Sequence, residues 1–517
     1  MRAITTSCSA AITRLCDLLC RHPFLAVIPA VIWYGISSVD FINCYVDDVF
    51  IPMRYAEHAA QGYGLVFNIG ERVEGYSNFL WTALLTAAAS AGINQDRSPY
   101  ALLSFAKIAG FLCGLATILV ATWLAVRISR ESTHRSTKAM MVAAIISIPA
   151  ASSFTLWSVS GMETPLCALF LILGASLHWI GFGREPAHKS RPYFLLGGIA
   201  SALACLTRPE QMFAWGLMMV VLMMFVNPQQ RRSLIPGAIM TTLVIIAFEV
   251  WRWNYYGEFL PNSVMAKSGG GIWTHLDGLR YGLAALAGSL GIAGLGLMRA
   301  VRLARRSSQW ASLVLAAGAQ LCFVAASSGD WMPGFRFLVP AIPLMCVVAY
   351  AGLADLLGEE RQALHAPALL GIAILFSVGV YFNGRMLIRA QANYQSGLRG
   401  IELPQSKEPL VIAKDLNVIV PHGATVSMVE CGEIAYFAPT IHVLDVLGLM
   451  DKEIARLPGR HMHGLTLEYF LSRNADYDLR TTHEDPSLDI VLADAEYGAH
   501  YQALKSFSHL MLFKRVK

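Results

Sequence analysis

Charge is what this sequence has least of. Only 15% of its 517 residues are Asp, Glu, Lys or Arg, 55% are hydrophobic, and the mean hydropathy is +0.49. A water-soluble domain carries about 25% charged residues, so this supply cannot cover a solvent-facing surface. The ten cysteines form no CxxC and no Cys/His metal spacing, which excludes a zinc module and a dense disulfide scaffold. Cys113, Cys167, Cys205, Cys322 and Cys346 fall inside apolar stretches, where a thiol acts as a small hydrophobe. Cys44 and Cys431 are expected outside the membrane, where either a bridge or two free thiols fits. No P-loop, GxGxxG pattern, internal repeat or low-complexity tract is present. The net charge of +5 sits in short clusters between apolar runs, a pattern of membrane topology rather than of nucleic-acid binding.

What the sequence has instead is long apolar runs. Eleven of them, near 22–40, 100–126, 139–156, 163–182, 193–206, 211–226, 234–253, 279–298, 309–328, 335–354 and 366–382, suit a span of about 20 residues. The first follows Arg14 and Arg21 without a small-residue cleavage site, so it is expected as a retained span. The segment 77–93 is ambiguous, and charge decides it. With a cytoplasmic N-terminus and 77–93 lying along the surface, the clusters at 127–138, 184–191, 231–232 and 299–306 and Arg361 all fall on the cytoplasmic side. A crossing at 77–93 would invert every one. The same parity puts VDDVFIPMRYAEH, VEGYSN, SVSGMETP, TRPE, WNYYGEFLPNSVMAKSGG and SSGDWMPGFRF on the external face. Beyond 383, β-type runs (ATVSMVE, LDIVLAD, LMLFKRV) alternate with helix-like ones (CGEIAYFA, DKEIARL, GLTLEYFLSR). The expected architecture is a polytopic α-helical membrane domain over 1–383, with external juxtamembrane helices at 41–99, followed by an external α/β domain over 384–517.

Asp47 and Asp48 follow the first span directly. Carboxylates beside hydrocarbon are costly unless paired, hydrated or used. One can serve as a general base for an acceptor hydroxyl while the other orients it; an N-cap of the helix that follows is the plainer reading. Arg54 stands about two turns further on, suited either to a phosphate or to snorkelling at the interface. Lys267 and Arg336 are isolated cations in external loops, where topology disfavours positive charge, and this tilts both toward an anionic lipid head group. Tyr76, Tyr255, Tyr256 and Trp331 fit an aromatic belt or sugar stacking. His58, Arg460, His461 and His463 are expected as solvated or interfacial polar residues, and Gly269–Gly271 as a loop.

Five strings carry a resemblance: DDVFIPMRYAEHAAQGYGLVFNIGERVEGYSNFLW (47–81), SGMETPL (160–166), YYGEFLPNSVMAKSGG (255–270), GDWMPGFRFLVPAIPL (329–344) and EIAYFAPTIHVLDVLGLMDKEIAR (433–456). In this order they resemble the GT-C polyprenyl-phosphate-dependent glycosyltransferases, most of all those that add terminal β-1,2-linked arabinofuranose. Similar proteins also glycosylate pilins. The resemblance implies a multi-pass protein of the bacterial inner membrane with its active site on the periplasmic side. Asp47 is implied as the base with Asp48 in support, and Glu74, Tyr76, Asn262, Lys267, Asp330 and Arg336 as pocket residues. The implied reaction moves a pentofuranosyl group, D-arabinofuranose first, from a polyprenyl phosphate to a glycan or glycoprotein, with inversion. It needs no nucleotide cofactor; a divalent cation on Asp47 and Asp48 is open. A GT-C enzyme using another lipid-linked sugar, or a lipid-linked saccharide transporter, is the alternative.

Overall fold

The computed structural model describes residues 14, 18–132, 134–184, 187–267, 272–327, 329–357, 366–394, 398–399, 408–457, 465–481, 495–507 and 510–516. Among them, seven helices are long and apolar enough to cross a membrane: Pro23–Phe41, Ala101–Glu131, Thr164–Phe182, Pro228–Tyr256, Ser308–Ala326, Val339–Leu356 and Leu370–Arg389. Two bent pairs raise the number to nine. Ser136–Ala150 and Ser152–Val159 meet at 49°, just after Pro149, and Leu276–Leu290 and Ala293–Arg306 meet at 118°. Proline removes a helical hydrogen bond and crowds the preceding turn, which accounts for the first bend. The shorter apolar helices Arg191–Thr207 and Glu210–Phe225 occupy the two remaining expected positions. The protein is a multi-pass membrane protein.

The ambiguous segment forms the 12-residue helix Phe79–Ser90. At 1.5 Å per residue it is about 18 Å long, too short for a hydrocarbon core of about 30 Å.

The chain divides into two compact units, each built from separate stretches. One contains Met1–Cys44, Ala106–Ile246 and Ile272–Glu402. Its first helix shows Ile28, Ile32, Ile36 and Val39 exposed along one side and buries Ala30, Tyr34, Ser37 and Phe41 on the other. Such a stripe is unfavourable in water and favourable against lipid. Small residues set the close approaches. Gly198 meets the Gly237 backbone, and Gly237 that of Phe194, so tightly that neither has room for a Cβ, and the Thr241 hydroxyl donates to Gly198 O at 2.8 Å.

The other unit contains Tyr45–Phe105, Ala247–Gly271 and Leu403–Lys517. In this unit the segment 45–105 packs with the C-terminal segment. Phe50, on helix Phe50–Ala60, lies with its ring 5.2 Å from that of Tyr436 and 5.7 Å from that of Phe437. Five strands, β1 Thr425–Met428, β2 His442–Asp445, β3 Tyr477–Thr481, β4 Tyr501–Ser506 and β5 Leu510–Arg515, form a sheet in the order β2-β1-β3-β5-β4. β1 runs parallel to β2 and β3, and β5 antiparallel to β3 and β4. The edge of β2 is sealed by a side chain that imitates a strand. The Asn68 amide donates to Val443 O at 2.8 Å and accepts from Val443 N–H at 2.9 Å.

Candidate active site

Asp47 and Asp48 open the single 3-10 turn Asp47–Val49 and are both partly exposed. The N-cap of the helix that follows is Val49. The two oxygens of the Asp47 carboxylate accept main-chain hydrogen bonds from far along the chain: Gly432 N–H to Oδ2 at 2.7 Å and Glu433 N–H to Oδ1 at 2.8 Å. A Cβ at 432 would collide with the carbonyl and carboxylate of Asp47, so the approach requires glycine. The Glu433 carboxylate is wholly buried and accepts from the Tyr45 hydroxyl at 3.3 Å and the Tyr100 hydroxyl at 3.0 Å. Cys431 and Cys44 are both free thiols. Burial first, then the negative Asp445, Asp47 and Asp48, pushes the Cys431 thiol well above its ordinary range, which keeps it protonated.

Arg54 is a correction. The expectation of an interfacial donor contact fails because the guanidinium is buried and committed to main-chain carbonyls. Nε donates to Phe67 O at 2.8 Å, Nη2 to Ile441 O at 3.1 Å, and Nη1 to Ala435 O and Ala438 O. It ties helix Phe50–Ala60 to the C-terminal segment. His58, expected at the interface, is buried too, with Nδ1 3.0 Å from Val66 O; burial and the Arg54 charge lower its pKa to about 4. The ring is thus neutral and Nδ1 is the donor. Glu57 accepts from Gln95 N–H and Nε2 and from the Tyr436 hydroxyl.

The other expected pocket residues of this unit meet one another. Tyr55 takes up the VEGY loop, its hydroxyl donating to Val73 O at 2.6 Å and accepting from Gly75 N–H at 2.9 Å. Tyr76 and Tyr256 join hydroxyl to hydroxyl at 3.0 Å. Glu74 is buried with Arg252 Nε 2.9 Å from Oε2, and Arg252 also holds Glu249 at 2.6 Å. Burial outweighs the pull of Arg252 and raises the Glu74 pKa to about 7. Asn262 accepts nothing from the VEGY loop through its side chain; its main-chain N–H donates to Glu74 O at 2.9 Å, and its amide donates to Gly448 O and Leu449 O at 2.8 and 3.0 Å. That DVLGLM turn winds about the buried Asp445, which accepts from Leu447 N–H and Met450 N–H. Lys267 ends the short helix Asn262–Lys267, half-buried, and joins no ion pair among the described residues. Gly269–Gly271, Arg460, His461 and His463 lie outside the described residues.

The membrane unit carries its own charged cluster, built from SGMETP, TRPE and GDWMPGFRF. Arg208 pairs with Glu163 at 2.7 Å and with Glu210, and Arg336 pairs with Asp330 at 2.8 Å, all buried. The Phe337 ring lies 5.4 Å from the Arg208 guanidinium and 5.5 Å from that of Arg336. Phe335, next to Arg336, has φ 54°, a left-handed conformation costly for a bulky side chain and frequent near functional sites. Among the described residues no three His, Cys, Asp or Glu side chains converge as metal ligands.

Sequence reasoning missed Gly432, Glu433, Arg252 and the Arg208 cluster as site residues. The local signals were there: a Gly between strand and helix in MVECGEIAYF, and unusual charge in SGMETP and TRPE.

Comparison with known proteins adds the context. A family model described as a domain of unknown function (DUF8728) matches residues 392–516. The terminal β-(1→2)-arabinofuranosyltransferase of Mycobacterium tuberculosis is 30% identical over 233 residues, 44% of this chain and 35% of that protein. Its namesake in Corynebacterium glutamicum is 27% identical over 378 residues, 65% of this chain and 52% of that protein. The matches thus span a third to a half of these relatives' length. ArnT from Cupriavidus metallidurans, solved bound to undecaprenyl phosphate, matches 95% of this chain and 97% of its own with TM-score 0.61 at 13% identity. The chain shares the GT-C fold of that protein. The GT-C architecture agrees with the family resemblance of the five strings, and the two curated relatives carry the name of the family that those strings resemble most.

Proposed function

We propose that this GT-C protein is a glycosyltransferase that moves a pentofuranosyl group, D-arabinofuranose first, from a polyprenyl phosphate to a hydroxyl of a cell-envelope glycan or a pilin-like glycoprotein, on the external face of the membrane. The observation that carries the mechanism is the Asp47 carboxylate: partly exposed, beside the first span, and oriented through both oxygens by main-chain donors. A carboxylate oxygen accepts more than one hydrogen bond, so a main-chain donor and a substrate hydroxyl are compatible partners. Asp47 takes the hydroxyl proton as the acceptor oxygen attacks C1 opposite the phosphate. The C1–O bond to phosphate breaks, polyprenyl phosphate leaves, and the configuration inverts. Asp48 supports the base. Lys267 is the cation assigned to the leaving phosphate, while Glu74, Tyr76 and Asn262 hold the pocket loops; Arg336, expected as an isolated cation, is paired with Asp330 instead. No nucleotide enters this scheme.

The test is Asp47→Asn, assayed for transfer from synthetic polyprenyl-phosphoryl-arabinofuranose to an oligosaccharide acceptor. General-base catalysis is worth about 10²–10⁴-fold, so kcat falls by that order. Asparagine keeps one of the two main-chain bonds, so the detergent-solubilised protein still folds and binds donor. Wild-type turnover in well-folded Asp47→Asn protein would sink the mechanism.

A further inference from the structure

We propose that the Cys431–Gly432–Glu433 turn is the positioning element of the catalytic carboxylate, which gives the C-terminal segment, matched so far as a domain of unknown function, a task in the reaction. The inference rests on Asp47 being the base. Three observations carry it. Consecutive N–H groups, from Gly432 and Glu433, hold the two oxygens of Asp47 at 2.7 and 2.8 Å, which fixes both the position and the plane of the carboxylate. Gly432 packs against the Asp47 main chain as well as its side chain, leaving no room for a Cβ. The turn is anchored in its own right: buried Glu433 takes the hydroxyls of Tyr45 and Tyr100, and Tyr45 lies two residues before Asp47. The same turn therefore grips the Asp47 segment at two points.

A base must meet its proton within hydrogen-bond reach, and a misplacement of about 1 Å can cost about 10²-fold in rate. Gly432 and Glu433 are thus positioning residues whose effect passes through Asp47. An ordinary packing role predicts something else: loss of stability, with effects independent of what stands at 47.

The experiment is a double-mutant cycle on the full-length protein in detergent, with transfer from synthetic polyprenyl-phosphoryl-arabinofuranose as readout. Gly432→Ala is expected to lower kcat about 10²-fold while the donor KM stays within about twofold. Added to Asp47→Asn, it should cost nothing further, because the carboxylate it positions is already gone. Tyr100→Phe, which spares the 431–433 main chain, is the milder variant should Gly432→Ala fail to fold. Losing one hydrogen bond to Glu433, it should reduce kcat about threefold to tenfold, again only when Asp47 is present. Equal losses with and without Asp47, or wild-type kcat in both variants beside an inactive Asp47→Asn, overturn the positioning role while leaving the base in place. Full activity of Asp47→Asn instead overturns the base, and the inference with it.

Discussion

Glu74 sits where no water can solvate its charge, against Arg252 and near Glu249. Its pKa of about 7 in the folded protein lies above the ordinary value of 4.5. The folded state therefore holds a proton that the unfolded chain releases sooner. The stabilisation is complete below pH 4.5 and is lost as pH rises through 7. Buried His58, with its pKa lowered to about 4, acts in the opposite sense below pH 6.5, so the test is a difference: between about pH 5 and pH 8 the Tm of Glu74→Gln should fall less, or rise more, than that of the wild type. Asp445, with its pKa raised to about 6 by burial, acts in the same direction as Glu74 in both proteins. Identical slopes in wild type and variant would refute the account. At this scale the sequence shows residue types and their neighbours along the chain, as with two carboxylates directly after a span. The role of Arg54 was not legible. Its carbonyl partners stand 13 to 387 residues away, so local spacing showed a surface cation where folding had built a buried clamp.

Among elements, apolar periodicity found the seven long apolar helices, because lipid imposes one rule on all of them; the expected span 279–298 instead runs across two helices that meet at 118°. Helix breaks were less legible, although Pro149 marks one of them. β-strands came through where hydrophobic runs alternate, at Thr425–Met428 and Leu510–Arg515; the expected run LDIVLAD lies outside the described residues. The seal on β2 left no trace in the pattern, since Asn68 lies in the first external loop, 375 residues from Val443. Asn68→Ala should leave a buried N–H and C=O of that strand unsatisfied and cost about 1–3 kcal/mol. Reduced Tm, with susceptibility to limited proteolysis raised first in the C-terminal segment, would report it; an unchanged Tm would show that the edge needs no seal.

For the whole molecule, parity is the strongest legible quantity, because one extra crossing would turn every later loop over. We infer from the eleven expected crossings, with the short helix Phe79–Ser90 lying along the surface, that the C-terminus is outside the cytoplasm. A C-terminal alkaline phosphatase fusion should be active and a cytoplasm-dependent fluorescent fusion dark, and the reverse pattern would mean an even number of crossings. Invisible in the sequence was the unit assembled from three separated stretches, since parity assigns sides and not neighbours. That arrangement bears on biogenesis. Asp47 emerges from the ribosome 385 residues ahead of Gly432. At about 5–20 residues per second, the carboxylate waits roughly 20–80 s before its holder exists. On the proposed mechanism, a nascent chain that ends before Gly432 carries an unaimed base, and synthesis past Glu433 is the event that positions it.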